Sequence, residues 1–75
     1  MEKLIEILQS IHTDVDFEKE VSLVDDRILD SFDIVVLISE IENEFGVLIK
    51  PRDIVPENFN SVKDIYELIK RTDIN

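Results

Sequence analysis

The chain opens on an amphipathic repeat. Leu4, Ile5, Ile7, Leu8 and Ile11 return at the spacing of one helical face, with Glu2, Lys3, Glu6 and Gln9 on the other. This predicts a first helix within residues 1–12. From Thr13 to Leu29 the period is lost, and Val15, Phe17, Val21, Leu23, Val24, Ile28 and Leu29 stand scattered among six carboxylates. Such a stretch reads as a long loop with room for one helical turn. Its apolar anchors predict an ordered loop lying across the core, because a long connection in a small domain is seldom incidental.

Ile34, Leu37, Ile38, Ile41 and Phe45 then form a second helical stripe. Asp30 is placed to cap its start, Asp33 adds a carboxylate to the first turn, and Gly46, the sole glycine, comes directly after the last stripe residue. A glycine there can take the left-handed conformation that ends a helix, so the second helix is expected from about Ser31 to Phe45. Pro51 and Pro56 punctuate the next connection and leave room only for a short third helix around residues 53–59. Ser61 with Asp64 three residues later makes a capping-box pattern. Val62, Ile65, Tyr66 and Ile69 supply an apolar face, and Lys70 and Arg71 suit the carboxyl end of a last helix. The expected fold is all-α: a small four-helix bundle of three main helices and one short one, with a long first loop, in a single domain over 1–75.

Composition changes this picture by limiting the chemistry. A 75-residue domain buries only about 60% of its unfolded surface, too little for a deep, water-excluding active site. The chain has no cysteine and one histidine, which excludes a disulfide framework, a thiolate nucleophile and a multi-histidine zinc site within one chain. The alternation Asp14, Asp16, Glu18, Glu20 resembles the start of a calcium loop, but Lys19 stands where the turn needs glycine and Asp25 where a glutamate is expected. We assign no metal and no catalytic residue, and the chain is expected not to be an enzyme. His12 reads as an ordinary residue at a helix end. The start of the chain lacks a secretory pattern and no apolar run could span a bilayer, so a cytoplasmic protein without membrane insertion is expected.

Charge adds a direction. The net charge is −10, and residues 14–44, with eleven acids and two bases, account for −9 of it, whereas residues 45–75 are neutral. Such a field repels nucleic acid and favours basic protein surfaces. On the wheel of the second helix Phe32 and Val36 lie off the core stripe, among Asp30, Asp33 and Glu40, and together these residues form a candidate docking strip. Carboxylates would attract the partner at range and apolar side chains would anchor it. The alternative for Phe32 is to fold back as a lid on the core, and for the charge to be a solvated face.

Taken by itself, Ser31 is a serine in the first turn of a helix, where capping makes serines frequent. In context, Leu29-Asp30-Ser31-Phe32-Asp33 followed by Ile41-Glu42-Asn43-Glu44-Phe45-Gly46 resembles the acyl carrier protein family. There an Asp-Ser motif opens the second helix and a Glu-x-x-Phe-Gly pattern closes it. The resemblance extends over nearly the whole chain, including length, acidity and helix order. It implies that a phosphopantetheinyl transferase, drawing on coenzyme A, esterifies Ser31 with a 4'-phosphopantetheine arm, whose thiol carries acyl groups as thioesters. It also implies a monomeric shuttle for fatty acid or polyketide-type biosynthesis, served by acyl- or aminoacyl-activating ligases and acyl-processing enzymes with basic docking patches. Val36 stands where many fatty-acid carriers have glutamate, and Phe32 where they have leucine. Asp-Ser-Phe and the Glu57–Ser61 stretch lean towards the D-alanyl carrier proteins, whereas the residues before Ser31 lack the glycines and histidine of peptidyl carriers. Ile54, Val55 and Phe59 are placed either to line an acyl cavity across from the second helix or to fill the core. An unmodified acidic interaction module, with Ser31 merely a cap, is the rival reading.

Overall fold

The computed structural model describes residues 2–74, with side chains to Thr72; Met1 and Asn75, the ends of the expected domain, lie outside the described residues. Four helices come in order: α1 (Glu2–Ile11), α2 (Ser31–Phe45), α3 (Pro56–Phe59) and α4 (Val62–Ile74), with a single 3-10 turn (Pro51–Asp53) before α3. No strand forms among the described residues, and the all-α bundle expected from the periodicity is the observed fold. The helix α1 packs against α2 and α4, and α3 packs against α4.

Each main helix is present because its apolar face has something to cover. Leu4, Ile7 and Leu8 of α1, Leu37 and Ile41 of α2, and Ile65, Leu68 and Ile69 of α4 meet in one core. The long first loop belongs to that core: Phe17, Leu23 and Leu29 are 1%, 0% and 2% exposed. It is an ordered strap, as its scattered apolar residues predict. Asn60, at the junction of α3 and α4, ties its second half down. The Asn60 carbonyl accepts the Leu23 N–H at 2.8 Å, and its side-chain oxygen accepts those of Val24 and Asp25, each at 3.0 Å.

The helix ends obey the local chemistry. Gly46 has φ +65° and donates its N–H to the Glu42 carbonyl, a left-handed closure that costs a residue with a Cβ about 1 kcal/mol or more. Ser61 accepts the Asp64 N–H at 3.1 Å and caps α4. The third helix departs from expectation. It starts at Pro56, not Asp53, and is four residues long. Pro56 lacks an N–H and disfavours helical geometry at the residue before it, so Val55 is extended (φ −129°, ψ 152°) and the segment splits into a 3-10 turn and a separate helical turn.

Candidate functional site

The start of α2 is built by a reciprocal pair. Asp30 has extended backbone and its carboxylate accepts the Asp33 N–H at 2.8 Å, while the Asp33 carboxylate accepts the Asp30 N–H at 3.3 Å. This capping box uses two aspartates. It leaves Ser31, the first residue of the helix, with an exposed hydroxyl that makes no hydrogen bond among the described residues. The N–H groups of Ser31 and Phe32 likewise have no protein acceptor there, and they lie at the positive end of the helix dipole. A nucleophilic oxygen beside two unused donors suits a serine that is to bear an anionic ester.

Asp33 is held from a second direction. The Nε2 atom of His12, one residue past α1, lies 2.7 Å from Asp33 Oδ2. Partial burial pushes the Asp33 carboxyl up, but the hydrogen bonds from His12 and from the Asp30 backbone outweigh it and hold the group below its usual value of 3.8. Sequence reasoning misses this role for His12. The two residues are 21 positions apart, and no local pattern links them. Because the folded carboxyl is depressed, its contribution to stability is present above the unfolded value and is lost as pH falls through the folded one. His12→Ala is therefore expected to cost about 1 kcal/mol near neutral pH, a charge-assisted bond discounted for partial exposure. Melting followed by circular dichroism should show a drop of about 5 °C at about pH 7 that narrows below about pH 4. A drop of equal size at both ends of the range would assign the loss to packing instead.

The predicted docking residues fall into three positions. Phe32 is 74% exposed, so it does not fold back as a lid. Asp30 and Glu40 are exposed, and Asp33 is half-buried against His12. Val36 is half-buried, and it is Val35, which the sequence pattern does not single out, that stands 65% exposed beside Phe32. At 100° per residue, Phe32 and Val35 straddle the line opposite Leu37 and Ile41. Val36 sits on the flank nearer Asp33 and Glu44, the flank from which His12 and Lys3 of the first helical segment are met.

On its other flank α2 faces an apolar cleft of about 290 Å³, lined by Ser31, Ile34 and Ile38 of α2 and by Ile54, Val55 and Phe59 across from it. Phe59 is buried and forms part of the core, whereas Ile54 remains 42% exposed at the rim. The two roles foreseen for these residues, cavity lining and core filling, are thus divided among them. Ile34 and Ile38, expected wholly inward, are half-buried because they complete this cleft. Among the described residues no group of side chains is arranged to hold a metal ion, and no helix is long and apolar enough to cross a membrane.

Among curated proteins and among solved structures, nothing matches the chain with significance. The family model for the phosphopantetheine attachment site, by contrast, matches residues 2–69, from the start of α1 to well into α4. Domains of that family carry a covalently attached 4'-phosphopantetheine group and serve as carriers for enzymes, beginning with the transferase that loads them. With an uncommitted serine at the head of α2, an acidic helix behind it and an apolar cleft beside it, the chain belongs to this family of phosphopantetheine-carrying proteins.

Proposed function

We propose that Ser31 is the attachment point and that the protein carries apolar acyl groups as thioesters on the arm, in fatty acid or polyketide-type biosynthesis. The observation that carries the reading is the serine hydroxyl itself: exposed, free of any capping role, and on the rim of an apolar cleft. When bound, the arm supplies the thiol that a chain without cysteine lacks. The protein's own residues do the rest. Asp30 and Asp33 shape the helix end, the Ser31 and Phe32 N–H groups face the phosphodiester, and the hydrogen bond from His12 holds the Asp33 carboxylate in place. The cleft favours an apolar cargo over a D-alanyl group, because a short polar cargo gains nothing from Ile34, Ile38 and Ile54.

The test is intact mass after incubation with coenzyme A and a broad-specificity phosphopantetheinyl transferase, where the gain of one arm is expected; an unchanged mass would refute the reading. A hexanoyl-loaded arm should in addition move the methyl resonances of Ile38 and Ile54, and an equal response to a D-alanyl arm would favour the cell-wall branch.

Partners dock, on this reading, on the face formed by Asp30, Phe32, Asp33, Glu40 and the edge of Val36, to which Val35 is added. Ligases and acyl-processing enzymes would bring basic patches to the carboxylates, and Phe32 would be the aromatic anchor. Phe32→Ala is accordingly expected to lower kcat/KM for arm transfer about tenfold, a typical loss for an aromatic anchor. The melting temperature should stay within about 2 °C, since the ring is mostly in water. An unaltered transfer rate would remove Phe32 from the interface.

A further inference from the structure

Beyond the carboxyl end of α2 the surface changes character. Residues 47–50 lie outside any helix and alternate in burial, with Lys50 in extended backbone: Val47 and Ile49 enter the core, Leu48 is 74% exposed and Lys50 points to solvent. Glu42 accepts the Ile49 N–H at 2.9 Å and pins the segment. The N–H groups of Leu48 and Lys50 have no protein acceptor among the described residues. This segment borders a groove of about 500 Å³, larger than the cleft at Ser31, whose walls include Leu48, Lys50, Arg52, Asp53 and Arg71. Among the described residues Lys50 and Arg52 enter no salt bridge, unlike Lys3, Lys19 and Lys70, and Asp53 is the one carboxylate that lines the groove.

We propose that this groove is a second docking surface, which receives an extended, acidic segment of a partner protein with an apolar side chain against Leu48. Three features select that occupant. The cations ask for carboxylates, in a half of the chain where no net negative charge opposes them. The unused N–H groups of Leu48 and Lys50, two residues apart on the outward side of a segment with alternating burial, offer main-chain pairing to an extended partner segment. The exposed Leu48 gives a short-range apolar contact between the charges. The carboxylates beside Ser31, Asp30 and Asp33, do not cancel this attraction: fifteen residues of helix, about 22 Å, separate Ser31 from the groove, more than twice the screening length of about 8 Å at physiological salt. Of the acids nearer the groove, Glu42 is engaged by the Ile49 N–H and Glu44 by Lys3. A carrier built this way can be held at one end by an acidic tether while the Ser31 end, with the opposite charge, is offered to enzymes.

The proposal does not require that Ser31 be modified, so its test uses the unmodified full chain and is independent of the arm. The probe is a fluorescein-labelled peptide, Glu-Asp-Leu-Asp-Phe-Glu-Asp, titrated by anisotropy at low salt. Saturable binding below about 1 mM is expected, with amide shifts at Leu48, Lys50 and Arg52. The double change Lys50→Glu and Arg52→Glu should weaken it about tenfold or more, since two exposed attractions become repulsions. The neutral pair Lys50→Gln and Arg52→Gln, which adds no repulsion, should weaken it less and guards against a misfolded reversal, with circular dichroism as the check. Absence of binding, indifference to both double variants, or shifts centred on residues 31–40 would overturn the proposal.

Discussion

Ser31→Ala is expected to abolish the gain in mass on treatment with coenzyme A and transferase, while the melting temperature stays within about 2 °C of the unaltered protein. Both halves come from how α2 begins. Asp30 satisfies the Asp33 N–H and Asp33 returns the bond to Asp30, so the serine between them has no part in the cap. Its hydroxyl is exposed and bonds nothing among the described residues, and alanine is the better helix former. A serine that served as the cap would behave differently. Ser61, which accepts the Asp64 N–H at 3.1 Å and donates to its carboxylate at 2.9 Å, should lose about 1 kcal/mol on the same substitution. The contrast separates the carrier reading from that of an unmodified acidic module. If Ser31 were only a helix cap, Ser31→Ala would cost stability and leave the mass unchanged with or without the substitution. If the arm were attached elsewhere, the gain would survive it.

Most of what is local is legible in the chain. The span of α2 is legible because its cap, its stripe and its terminating glycine all lie within 17 consecutive residues and agree with one another. The strap over the core is legible for a different reason: Phe17, Leu23 and Leu29 are too apolar to be left in water. The serine becomes conspicuous only through resemblance, since a serine in a first turn is common, and the structure adds that the capping role is already taken. The failures are mostly pairings at a distance. His12 meets Asp33 and Asn60 holds Val24 and Asp25, contacts across 21 and about 35 residues that no spacing rule foresees. The helical wheel favours Val36 over Val35 because a wheel drawn for an isolated helix does not know which flank α1 will cover. The third helix comes out too long from the sequence because Pro56 serves equally as a break between elements and as the first residue of a new one.

Phe59→Ala is expected to remove about 3–5 kcal/mol of stability, a large share of the roughly 4–11 kcal/mol available to a 75-residue domain. The ring is 1% exposed and is the only buried residue of α3. A helix of four residues has no stability of its own, so α3 exists because Phe59 is drawn into the core formed with α4. The loss should spread along a definite route. Asn60, next in the chain, accepts the N–H groups of Leu23, Val24 and Asp25, and through them holds the strap that leads to Asp30 and Ser31. Loosening α3 therefore also loosens the approach to the serine and opens the floor of the apolar cleft. Chemical denaturation measures the first effect. Amide exchange measures the second, with protection lost at Leu23 to Asp25, which Asn60 holds, before it is lost at Leu37 and Ile41 within the long helix α2. Phe59→Leu keeps most of the apolar volume and should cost clearly less. A loss below about 1 kcal/mol for Phe59→Ala would place the ring outside the core, and simultaneous loss of protection in the strap and α2 would mean that the bundle opens only as a whole.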